Sequence, residues 1–168
     1  MDNENAPKQI KHRAKKRYEA SGGKHVASMI LVRDVMSKDV RVVRPDTTTQ
    51  EVVATMNKFN IGSILVVQAE RPVGIITERD ILRRLVEQCL APENLTARQI
   101  MTSPVITINE NASIEEAARL MAKKRIKKLP VTNNNNLVGI VTYTDIAFKV
   151  PTLLSILEEL VRPYRRSY

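Results

Sequence analysis

The chain contains itself twice. Displaced by 65 positions, residues 34–82 fall without a gap on residues 99–147. Identical pairs include Met36/Met101, Val40/Val105, Glu51/Glu116, Met56/Met121, Ile61/Ile126, Val66/Val131, Val73/Val138, Gly74/Gly139, Ile75/Ile140, Thr77/Thr142, Asp80/Asp145 and Ile81/Ile146. A repeat constrains architecture before any local assignment, because each copy is one supersecondary unit that must bury its apolar face against a neighbour. A unit of about 50 residues is small for a core of its own, so the two copies are expected to pack together.

Each copy carries the same succession of patterns. A short apolar strand comes first, Val40–Val43 and Val105–Ile108. A helix start follows: Ser113 and Glu116 have capping-box spacing, and Thr47 with Gln50 matches it in the first copy. Apolar residues then recur at helical spacing, at Val52, Val53, Met56 and Phe59 and at Ile114, Ala117, Ala118 and Met121. Two strands joined by a polar turn come next, Ile64–Val67 with Val73–Thr77, and Leu129–Thr132 with Val138–Thr142. The second turn is four asparagines, Asn133–Asn136, which tolerate left-handed backbone. A short helix near Arg79–Val86 and Thr144–Phe148 closes each unit. The chain thus divides into a basic N-terminal tail (1–28), a first repeat (29–87), a linker (88–98), a second repeat (99–150) and a C-terminal helix with a basic tail (151–168). That last helix is expected over Thr152–Val161, between Pro151 and Pro163.

The paired lines VGIITERDIL and VGIVTYTDIA, with DVMSKDV, QIMTSPV and KKLPV, resemble the cystathionine-β-synthase (CBS) domain family, as a tandem pair or Bateman module. The resemblance covers residues 34–148. It implies an α/β fold of two βαββα repeats in one pseudo-twofold module with two clefts. It further implies binding rather than catalysis, with AMP, ADP, ATP or another adenosyl compound as ligand and no required cofactor. Homodimers are common in the family.

Thr77-x-x-Asp80 and Thr142-x-x-Asp145 have two compatible explanations. Thr followed three residues later by Asp is a helix-capping motif, and capping alone accounts for both copies. A carboxylate can also accept from the two hydroxyls of a ribose, the role the resemblance implies. KKRIKKLP, residues 123–130, supplies cations. Lys123, Lys124 and Arg125 suit a helix C-terminus. Lys127 and Lys128 open a strand, so they point to opposite faces and one of them can face a cleft. The resemblance implies a cleft of Thr142, Asp145, one of those lysines, and backbone from Ser37 to Val40. The other cleft would hold Thr77, Asp80, Gly62 and Ser63, with Arg79 as its cation and a wall from Thr102 to Val105. The Asp145 cleft is therefore expected to prefer the more phosphorylated ligand.

Other chemistry lacks its residues. The two histidines, His12 and His25, both lie in the N-terminal tail, and there is neither a Cys/His cluster for zinc nor a Walker or Gly-rich dinucleotide loop. No catalytic or metal site is expected. One cysteine, Cys89, leaves no disulfide framework and suggests a cytoplasmic protein. No apolar run is long enough to span a membrane. The net charge is +9, and both ends are basic. Lys8, Lys11, Arg13, Lys15, Lys16 and Arg17 precede the first repeat, and Arg162, Arg165 and Arg166 follow the second, with Tyr18, Tyr164 and Tyr168 interspersed. Cations with stacking aromatics suit phosphate backbones and unstacked bases. Nucleic-acid contact is therefore expected, RNA such as the ribosome before DNA, because no helix-turn-helix is visible. Two alternatives remain: an energy sensor acting only on a protein partner, and a structural module with vestigial clefts.

Overall fold

The computed structural model describes residues 30–150 and residue 153. The basic tail residues and most of the expected Thr152–Val161 helix lie outside that range.

In each repeat the apolar run before the polar turn becomes the middle strand of a three-stranded sheet. Strand β1 (Val42–Val43) runs parallel to β2 (Ser63–Gln68), which pairs antiparallel with β3 (Arg71–Thr77). The second sheet repeats this with β4 (Ile108–Asn109), β5 (Lys128–Asn133) and β6 (Asn136–Thr142). The middle strands are buried on both faces: Ile64, Leu65 and Val66 in β2, and Leu129, Pro130 and Val131 in β5. That explains their unbroken apolar runs. Helices α2 (Thr49–Lys58) and α5 (Ile114–Lys124) cover one face of each sheet. The closing helices are α3 (Glu78–Ile81), continued by a wider π turn over Leu82–Val86, and α6 (Tyr143–Lys149).

The leaders are exchanged. Helix α1 (Val32–Val35) precedes the first sheet but buries Val32 and Val35 in the core of the second repeat, with Ile108, Met121, Leu129 and Ile146. Helix α4 (Ala97–Ile100) reciprocates, placing Ala97 and Ile100 with Val52, Met56, Ile64 and Ile76 of the first. Each fully buried aliphatic side chain contributes about 1.5–3 kcal/mol, so each repeat depends on the other's leader. The end of the linker is tied in as well: Thr49 donates to Leu95 O (2.8 Å) and Ala97 to Thr47 O (2.8 Å).

Two glycines permit this exchange. A Cβ on Gly139 would lie 2.6 Å from Met36 Sδ and 2.9 Å from Ser37 O. Its counterpart Gly74 faces Met101 in the same way. Ser37 then bonds Ile140 through both backbone groups, and Thr102 bonds Ile75. The segments expected as strands Val40–Val43 and Val105–Ile108 are therefore strand only at their ends, because their first residues follow backbone already committed to the opposite repeat.

Two further expectations shift. Helix α2 is capped by Thr48 and Glu51, not by Thr47 and Gln50. Thr48 is the 65-residue counterpart of Ser113, while the Thr47 hydroxyl accepts from Arg44 N–H and closes the preceding turn. Phe59 is 40% exposed; the helix has ended before it and its ring carries the Arg41 guanidinium 4.2 Å from the centroid. The asparagine turn is as expected, with Asn134 and Asn135 left-handed at φ 49° and 68°.

Candidate functional site

Both Thr-x-x-Asp motifs cap the closing helices. Thr77 donates its N–H (2.9 Å) and hydroxyl (2.6 Å) to Asp80 Oδ2, and its own oxygen accepts from Asp80 N–H (3.2 Å). Thr142 and Asp145 repeat this at 2.8, 2.7 and 3.3 Å. Capping thus occupies one oxygen of each carboxylate. The other oxygens differ. Asp80 Oδ1 accepts from the Thr102 hydroxyl (3.0 Å) and lies 3.5 Å from Arg84 Nη2. Asp145 Oδ1 has no bonding partner among the described residues.

A cleft of about 350 Å³ opens beside Thr142. The stretch after α1 contributes Ser37, Asp39, Val40 and Arg41; the approach to β2 contributes Asn60 to Ser63, with Leu65; the second sheet contributes Lys128, Ile140 and Thr142. Thr142 lines it directly, and Asp145 holds Thr142 in place. The fold decides between the two lysines. Lys128 turns inward and donates to Ser63 Oγ at 2.8 Å. Lys127 is exposed, its ammonium 5.4 Å from the centre of the Tyr143 ring. Burial pulls the Lys128 ammonium below the ordinary lysine pKa, with the Glu78 carboxylate opposing that shift. Lys123 and Lys124 end α5, and Arg125 caps it in a left-handed conformation, as the charge pattern implied.

Gly62 and Ser63, expected beside Thr77, pair with that segment (Ser63 opposite Thr77 and Glu78 N–H donating to Gly62 O) and also line the cleft with Thr142. Ser63 and Lys128 are 65-residue counterparts, and their contact places both at the pseudo-twofold between the repeats. Val105 is half-buried and Thr102 sits against Asp80. The cation on Asp80 is Arg84, while Arg79 is exposed. Arg84 and Arg41 are the functional candidates the sequence reading missed. Arg84 stands four residues after Asp80 on a helix, a spacing that signals an ion pair. Arg41 had no such signal, since the Phe59 ring under it is brought there only by the fold.

A larger concavity of about 660 Å³ lies at the hairpin end of the first sheet, away from both motifs, between Arg44, Val67, Gln68 and Arg98. Its cations are engaged, Arg44 by Asp46 and Arg98 by Gln68. Among the described residues no group of His, Cys, Asp and Glu could hold a metal, and no helix is long and apolar enough to cross a membrane. The proposed nucleic-acid residues, Lys8 to Arg17 and Arg162 to Arg166, lie outside the described residues.

Comparison with known proteins agrees with this architecture. The chain is 38% identical over 138 residues to protein MK0525 of Methanopyrus kandleri, covering 81% of this chain and 70% of that one. It is 37% identical over 119 residues to the CBS domain-containing protein YhcV of Bacillus subtilis, covering 71% and 84%. A crystal structure of a conserved protein from Pyrococcus horikoshii superposes with a TM-score of 0.66 at 32% identity, covering 72% of this chain and 92% of that one. The CBS domain model matches twice, at residues 32–87 and 97–151. With one three-stranded sheet, one exchanged leader and one capped Thr-x-x-Asp motif in each matched span, the chain belongs to the CBS domain family as a tandem pair.

Proposed function

We propose that this module is a non-enzymatic regulator that binds an adenine nucleotide or related adenosyl ligand in the cleft beside Thr142. The observation that carries this reading is the juxtaposition of a half-buried ammonium, Lys128, with Thr142 on one cavity wall, where Thr142 is bonded to Asp145, a carboxylate whose Oδ1 has no bonding partner among the described residues. The carboxylate suits a vicinal diol, the ammonium a phosphate, and Val40, Ile61 and Ile140 an apolar ring. Arg41 lines the same cleft with its ion-pair partner Asp39 (3.2 Å), so a second phosphate would take the guanidinium in place of that carboxylate.

A thermal-shift series with AMP, ADP, ATP and S-adenosylmethionine tests this. A ligand at about 100 times its Kd adds about 2.7 kcal/mol of stability. A series in which nothing shifts the transition overturns the reading, and equal binding of AMP and ATP removes the phosphate preference.

The tails support a second component, contact with RNA, on their charge and tyrosines alone. Salt-dependent RNA binding that disappears when residues 1–25 are deleted is the expected result; binding indifferent to both removes that component. Self-association is the proposed role of the apolar side chains that the closing helices leave exposed, Leu82, Val86 and Phe148. A sedimentation mass of one chain at micromolar concentration overturns it.

A further inference from the structure

The two carboxylates at the heart of the repeats are equivalent in sequence and differ in what surrounds them. A carboxylate has about four lone-pair positions. Capping by the Thr backbone and hydroxyl engages two of them in either repeat, all at Oδ2. At Asp80 the remaining oxygen already faces the Thr102 hydroxyl and the Arg84 guanidinium. At Asp145 it faces neither equivalent. Among the described residues no hydrogen bond joins the hydroxyl of Ser37, the counterpart of Thr102, to Asp145, and Lys149, the counterpart of Arg84, donates to Val35 O at 3.2 Å.

The chemical cause is the difference between arginine and lysine. Arg84 uses Nη1 on the carbonyls of Ile100 (2.9 Å) and Met101, and so spends one arm on the end of the exchanged leader. Its other arm, Nη2, remains to hold the Thr102 hydroxyl (3.1 Å) and approach Asp80. Lys149 makes the leader contact equivalent to the first of these with its single nitrogen and has no second arm. The planar fork converts a structural contact into a clamp on the carboxylate.

We infer that Arg84 is a built-in occupant of the first cleft, holding Asp80 closed to a diol so that the module takes its adenosyl ligand at Asp145 alone. This rests on the nucleotide reading above and adds to it the number of sites and the residue that sets it. A ligand entering at Asp80 must displace a hydroxyl and a guanidinium from Oδ1, whereas at Asp145 it meets an open oxygen.

Titration calorimetry of the full chain with AMP tests the inference through Arg84→Lys and Lys149→Arg. Arg84→Lys installs the side chain that the second repeat already tolerates and retains a donor for Ile100 O, so its thermal transition should match that of the parent. The expected results are one equivalent of AMP for the parent, two for Arg84→Lys, and at least about tenfold weaker binding for Lys149→Arg, the order of effect of satisfying or freeing a charged acceptor. Two equivalents on the parent, or still one on Arg84→Lys, overturn the Arg84 clamp while leaving the nucleotide reading intact. No heat from any of the three proteins overturns the nucleotide reading and the clamp with it.

Discussion

The first and second repeats share their sheets, their capping motifs and their exchanged leaders, yet they present different surfaces to a ligand. Around Asp80 the polar groups satisfy one another through Thr102 and Arg84. Around Asp145 the second carboxylate oxygen has no bonding partner among the described residues, and Lys128 of the same repeat stands at the cleft wall against Ser63. A duplicated unit can therefore satisfy one copy's carboxylate with its own side chains and leave an oxygen of the other's without a partner among the described residues. The exchange costs little sequence: Arg84 for Lys149, and Ser63 against Lys128, account for most of it.

The comparison can be broken most forcefully at the leaders. Ile100→Ala removes a fully buried side chain that the second repeat lends to the first core. It is expected to destabilise by about 2–5 kcal/mol, the range for large-to-small core changes. Denaturant unfolding followed by two probes should show one shared transition, since each core contains the other's leader; separate transitions would mean that the repeats fold independently. At the carboxylates, Asp145→Asn keeps a side-chain oxygen for the cap and removes the charge. It should weaken AMP binding by about 1.5–3 kcal/mol, the worth of charged hydrogen bonds, while Asp80→Asn leaves that affinity unchanged. Equal losses from the two substitutions would erase the distinction between the clefts.

Gly139→Ala presses a methyl on Met36 Sδ and Ser37 O. The backbone oxygen has to move, so AMP affinity should fall by roughly tenfold, with a stability loss of about 1–3 kcal/mol as for other overpacked positions. An unchanged affinity would show that Ser37 is not part of the ligand's wall. The smallest effect concerns pH. Burial holds Lys128 below the ordinary lysine pKa, so it sheds its proton earlier than a solvated lysine as pH rises. The preference for AMP over adenosine should fall through that alkaline window and be absent in Lys128→Met. The stability sign is opposite. The folded chain binds fewer protons at this site than the unfolded chain, so this group's contribution grows as pH rises between the lowered value and the ordinary one. An AMP-to-adenosine ratio flat with pH would remove Lys128 as the phosphate partner.

Much of the fold was legible in one dimension because repetition and periodicity are properties of the chain itself. The 65-residue displacement implied two equivalent units, and the alternation of apolar runs with polar turns located β2, β3, β5 and β6 to within about two residues. Strand alternation also showed that only one of Lys127 and Lys128 could face a cleft, though not which. The leaders were invisible as exchanged elements: Val32, Val35, Ala97 and Ile100 read as ordinary apolar positions, and nothing local says whose core they enter. The same limit applies to Ser63, whose contact with Lys128, 65 residues away, is set only by the fold.

What the sequence alone determined is the unit and its chemistry: a duplicated α/β repeat, each copy ending in a Thr-x-x-Asp cap, with cations placed before one middle strand and not the other. What tertiary structure decided is which of those groups are already satisfied. Hydrogen-bond capacity belongs to a residue type, but whether it is spent depends on what lies within about 3 Å. That distance is set by backbone from elsewhere in the chain: the Thr102 segment at Asp80, and the Ser37 segment near Asp145.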